Sequence, residues 1–116
     1  MSIQRLHKGP RMSQVVKHGD TVYTAGQVAQ RAPGASVADQ TRDILARIDE
    51  LLAEAGTDKS RLLSATIWLA DIATFDEMNG VWDAWIDPDN PPCRACVQST
   101  LAAPQFTVEI GVIAAA

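Results

Sequence analysis

The chain reads as an α+β protein with two helices laid on one face of a mixed sheet, and three observations predict it. Leu62–Leu69 alternates with a period of two, placing Leu63, Ala65, Ile67 and Leu69 on one side and Leu62, Ser64, Thr66 and Trp68 on the other. Ile44, Ile48, Leu51, Leu52 and Ala55 recur at helical spacing. Short β-branched runs lie before the first helical segment and after the second. Segregated strands and helices of this kind are stable when the helices share one face of the sheet.

Each element has a local reason. Ser13–His18 and Thr21–Ala25 are strand-like runs joined by Gly19-Asp20, a pair suited to a two-residue type II′ turn. A further short strand is read at Ile3–Leu6. After a loop at Ala32–Gly34, Ser36 is placed to cap a helix with Asp39 in its first turn, and Gly56 supplies the stop. Thr74-Phe75-Asp76-Glu77 spells a capping box, and Phe75, Met78, Val81, Trp82 and Trp85 form the stripe of a second helix ending near Ile86. Pro88, Pro91 and Pro92 then break it. Two closing strands, Cys93–Ser99 and Phe106–Ala114, flank a loop through Pro104. The order is β-β-α-β-α-β-β before the extra N-terminal strand is added.

With 116 residues, a second core is not expected, and residues 1–116 are read as a single domain. The chain is 47% hydrophobic and 21% charged, with a mean hydropathy of -0.03, as in ordinary soluble globular proteins. A net charge of -4 argues against a general nucleic-acid binder, and three Trp, one Tyr and two Phe are too few for a base-stacking platform. Met1–Pro10 lacks the apolar stretch of a signal peptide, and no segment approaches the roughly 20 apolar residues of a membrane span. A cytoplasmic location and no membrane partner are the expectations. The face carrying Leu62 and Trp68 has no helix left to cover it, which points to homo-oligomerisation.

The last two strands carry the candidate chemistry. Arg94, Cys96 and Gln98 share one face of the first; Thr107, Glu109, Gly111 and Ile113 share one face of the second. Paired as a hairpin, the strands set Cys96 opposite Glu109 and Arg94 opposite Gly111, bringing Arg94 diagonal to Glu109. An arginine beside the space left by a glycine is a carboxylate receptor, and a nearby glutamate can activate water. The same pair also describes a solvated cross-strand ion pair, which is worth little.

Cys93-x-x-Cys96 invites a dithiol or zinc reading, yet residues three apart on a strand point to opposite faces and a second ligand pair is missing; no metal is expected. Asn79, at the edge of the second helical stripe, is either a pocket residue or a solvated amide. Gly26 either exposes backbone to a ligand or merely ends its strand.

Pro92-Cys93-Arg94-Ala95-Cys96-Val97-Gln98 together with Val108-Glu109-Ile110-Gly111-Val112-Ile113-Ala114 resembles the C-terminal signature of the RidA family, also called YjgF or L-PSP-like. Val22–Gln27, Ile67–Asp71 and Met78–Trp85 fit the same pattern. The resemblance implies a chorismate-mutase-like fold assembled as a homotrimer, with ligand clefts between subunits. It implies hydrolysis of reactive enamines and imines to 2-keto acids and ammonia without a cofactor. By motif position, Arg94 would grip the substrate carboxylate and Glu109 would position or activate water. Gly26 and Cys96 would offer backbone contacts, and Asn79 would line the cleft. Met12 stands where many members carry a substrate-facing tyrosine, exchanging a hydroxyl for a thioether, as in a divergent subgroup. A non-catalytic carboxylate-binding regulator is the alternative, and an endoribonuclease is a weaker one.

Overall fold

The computed structural model describes residues 1–116. Six strands, β1 (Ile3–Lys8), β2 (Ser13–His18), β3 (Thr21–Thr24), β4 (Leu62–Leu69), β5 (Cys93–Gln98) and β6 (Val108–Ala115), form one mixed sheet in the order β1-β2-β3-β6-β4-β5. Helices α1 (Val37–Glu54) and α2 (Phe75–Trp85) cover one face. The additional N-terminal strand is present and forms one edge of the sheet.

Local signals behave as read where the partners are close in sequence. Gly19 has φ 59° and Asp20 has no positive φ, the pattern of a type II′ turn. The Ser36 hydroxyl accepts from the Asp39 amide at 3.1 Å, and α1 buries Ile44, Ile48, Leu51 and Leu52 against the sheet. These side chains meet Val22, Ile67, Val108, Ile110 and Val112 in the core. Burying a side chain of this size is worth about 1.5–3 kcal/mol, so the layer contact is the main source of cohesion.

Three expectations are corrected. The last two strands do not pair: β4 lies between them, parallel to β5 and antiparallel to β6. Cys96 is registered with Ile67 and Arg94 with Ala65, whereas Glu109 is registered with Trp68 and Gly111 with Thr66. Ala65 and Ile67 lie under the helices, so Arg94 and Cys96 share that side while Glu109 and Gly111 face the opposite one.

A bulge between Leu62 and Ser64 alters the alternation of β4. Leu62 is buried, and Leu63 is 49% exposed in its place. Thr74 makes no side-chain cap; its hydroxyl donates to the Asp71 carbonyl, and Glu77 instead accepts from the Ala38 amide at the start of α1. The capping-box residues thus serve as an inter-helix tie, because a free amide end lies within reach of Glu77. The sheet face away from the helices is left open and carries Tyr23, Ser64, Thr66, Trp68, Glu109 and Ile113.

Candidate active site

Two half-sites emerge, one on each side of the sheet. The cationic one stands on β5, the edge strand. Arg94 Nη1 donates to Asn79 Oδ1 at 2.8 Å, and its guanidinium carbon lies 5.7 Å from the Phe75 ring centre and 5.3 Å from that of Trp82. Phe75, Asn79 and Trp82 occupy i, i+4 and i+7 of α2, one helical face. That spacing was the signal available for finding the aromatic flanks. Both rings present their faces to a cation, an arrangement favourable by about 0.5–2 kcal/mol depending on solvation. Arg94 belongs to none of the four salt bridges, so its charge is uncompensated.

Cys96 lies two residues further along the same face. Burial pushes its thiol above the ordinary range, against a smaller lowering by Arg94. A protonated, part-buried thiol is a poor nucleophile. His7 on β1 and His18 on β2 stand at the opposite edge of the sheet from β5, so neither can serve Cys96 as a base within one chain. Cys93 points the other way along β5, and the two sulfurs do not form a common site.

The anionic half-site is made by a departure from regular pairing. Strand β3 pairs with β6 from Thr21↔Ala115 as far as Tyr23↔Ile113, then separates. The Thr24 hydroxyl takes over, accepting from the Val112 amide at 3.0 Å, and Gln27 rejoins β6 through mutual backbone bonds with Ile110. The intervening segment passes Gly26 over Gly111, with the Gly26 Cα 3.6 Å from where a Gly111 Cβ would stand. The Glu109 carboxylate lies against Gly26, in space that a side chain there would occupy. Within one chain, burial alone pushes the Glu109 carboxyl above its ordinary value, since no cation of the same chain offsets the lost hydration. A depression of about 230 Å³ adjoins it, lined among others by Gly26, Thr66, Trp68 and Gly111. Buried Gln27 steadies the excursion by donating to the Gln14 side chain at 2.8 Å and to the Ala25 carbonyl at 3.1 Å.

Of the six residues singled out from sequence, Arg94, Asn79 and Cys96 therefore fall on the helix side, and Glu109 and Gly26 meet on the open side. Met12 lies in the turn before β2, with its side chain exposed.

A family model described as Endoribonuclease L-PSP matches residues 3–116. The chain belongs to this family. Among its L-PSP relatives, a RutC family protein of Haemophilus influenzae is 42% identical over 98% of this chain and 98% of its own length. A bovine relative named 2-iminobutanoate/2-iminopropanoate deaminase is 34% identical over 88% of this chain and 77% of its own. The crystal structure of a YjgF family member from Neisseria meningitidis superposes with a TM-score of 0.95 at 43% identity, covering 99% of this chain and 95% of that one. The L-PSP membership thus extends over both half-sites, from the Gly26 excursion to the end of β6.

Proposed function

We propose that this protein is a hydrolytic deaminase of reactive imines and enamines that carry a carboxylate, and that it works as a homotrimer. The observation that carries the reading is the uncompensated Arg94 guanidinium at the sheet edge, held by an amide and two rings. A planar cation with free N–H edges is suited to bidentate capture of a carboxylate. The bovine relative's name supplies the reaction class.

In the proposed reaction, Arg94 fixes the carboxylate of a 2-imino acid, and Glu109 takes a proton from a water as its oxygen bonds to the imine carbon. The C=N π pair moves to nitrogen, which receives the proton from Glu109; the resulting carbinolamine collapses with cleavage of the C–N bond as Glu109 passes the hydroxyl proton to the departing nitrogen and ends as carboxylate. Ammonia leaves and a 2-keto acid remains, so one water is consumed per turnover. The imine is already electrophilic, and orientation with a positioned base supplies much of the acceleration. No cofactor enters this scheme. Since the sheet separates Arg94 from Glu109 within one chain, the scheme requires these two groups from neighbouring copies, with Gly26 and Cys96 backbone and the Met12 side chain bordering the cleft. The open sheet face, which carries Tyr23, Trp68 and Ile113 beside polar Ser64, Thr66 and Glu109, is the surface available for that association.

Replacing a hydroxyl by the Met12 thioether removes one donor from the cleft and favours a second reading, a regulatory protein that binds small carboxylates without turnover. An endoribonuclease, as the family description words it, has less support. The chain is acidic, and its two histidines stand on β1 and β2, far from Arg94.

The test is an oxidase-coupled assay in which 2-imino acids from a panel of amino acids are trapped as semicarbazones. Wild type is expected to reduce trapping and Arg94→Ala to restore it, with a native mass near three times 12.5 kDa. Trapping equal to the no-protein control for every amino acid would exclude the deaminase. Binding of 2-keto acids without hydrolysis would select the regulatory reading.

A further inference from the structure

Arg94 is held by a neutral group where a carboxylate would be the ordinary choice. Arginine at a part-buried position is commonly fixed by Asp or Glu through two parallel bonds. Here α2 carries Asp76, Glu77 and Asp83, but none of them forms a salt bridge with Arg94. Glu77 is engaged instead at the Ala38 amide. The α2 side chain that does bond Arg94 is Asn79, whose Oδ1 accepts from Nη1 at 2.8 Å.

We infer that Asn79 is a positioning residue that aims the Arg94 fork while leaving its charge free for an incoming carboxylate. The inference rests on the carboxylate-binding reading of Arg94. An amide oxygen offers the same acceptor geometry as one aspartate oxygen but no net charge. Phe75 and Trp82 flank the guanidinium, with its carbon 5.7 and 5.3 Å from their ring centres, Asn79 holds one nitrogen, and the remaining N–H groups are left for ligand. An aspartate in the same place would keep the shape and cancel the cation.

That contrast separates positioning from scaffolding. If Asn79 only packs α2 onto β5, Asn79→Asp should be tolerated, since it adds an ion pair, and Asn79→Ala should be the harmful change. If Asn79 preserves the free charge, the order reverses. Calorimetry with 2-oxobutanoate as probe is expected to show Asn79→Asp weakening binding about tenfold or more at a wild-type melting temperature, and Asn79→Ala weakening it less. In an Arg94→Ala background, adding Asn79→Asp should change nothing further, as coupling between the two residues requires. Wild-type affinity in Asn79→Asp, or Asn79→Ala as the weaker binder of the two, would overturn the inference while leaving the Arg94 reading intact. Failure of the wild-type protein itself to bind 2-oxobutanoate would overturn both.

Discussion

The carboxylate of Glu109 rests so closely on the backbone of Gly26 that a Cβ at residue 26 would stand 2.2 Å from Oε2 and 2.9 Å from Cδ. Gly26 does not share the positive φ of Gly19, Gly34 and Gly56, so its requirement is space and not backbone freedom. Gly26→Ala should therefore displace the end of a flexible side chain and leave the sheet in place. We predict a melting temperature close to wild type with imine hydrolysis reduced by up to about a hundredfold, the scale of loss from an ångström of misplacement. Undiminished hydrolysis in Gly26→Ala would show that the seat of Glu109 is immaterial to turnover.

Because burial raises the Glu109 carboxyl, the unfolded chain gives up this proton at lower pH than the folded one. The protonated form's contribution is complete below the ordinary carboxyl range and is lost as pH rises through the raised value. Glu109→Gln removes that cost. Its melting temperature should exceed that of wild type near neutral pH, and the gap should close below roughly pH 3, where both states hold the proton. A gap that is constant with pH would contradict this assignment. Hydrolysis by wild type should fall on the acid side as the base is protonated, with an inflection above the usual glutamate range.

Gln40 is fully buried and spends its amide on three backbone groups. Its Nε2 donates to the Ala35 and Gln105 carbonyls, each at 3.0 Å, and its Oε1 accepts from the Thr107 amide at 2.9 Å. It joins the start of α1 to the loop that delivers β6. Gln40→Leu keeps the approximate volume but strands these partners, and a loss of about 3 kcal/mol is expected by chemical denaturation. A loss below about 1 kcal/mol would mean that water reaches them.

Much of this arrangement was legible from residue pattern. The α1 signals are all local: the Ser36 cap, the apolar spacing from Ile44 to Ala55 and the Gly56 stop lie within one helix length of each other. The same holds for the faces of β5 and β6, since a period of two assigns each side chain a side whatever strand stands next to it. Arg94 and Glu109 were thus identifiable as candidates, whereas Gly26 and Asn79 each kept a plain structural alternative that only the family resemblance weighed against. The Thr74 box failed because its partner Glu77 found a better acceptor role in α1, 39 residues away.

Residue pattern by itself determined which side chains of β5 and β6 share a face, where α1 begins and ends, and that one sheet face would lack a helical cover; the bulge in β4 moved Leu62 and Leu63 from their expected sides. Only the tertiary structure decided which strands are neighbours. Inserting β4 between β5 and β6 turned a presumed Arg94–Glu109 contact into two half-sites on opposite sides of the sheet, and it made Asn79, not Glu109, the partner of Arg94. The physical reason is that alternation is set by each strand's own backbone, whereas strand order is chosen by burial of the whole apolar face beneath α1 and α2, a sum over distant residues that no local spacing encodes.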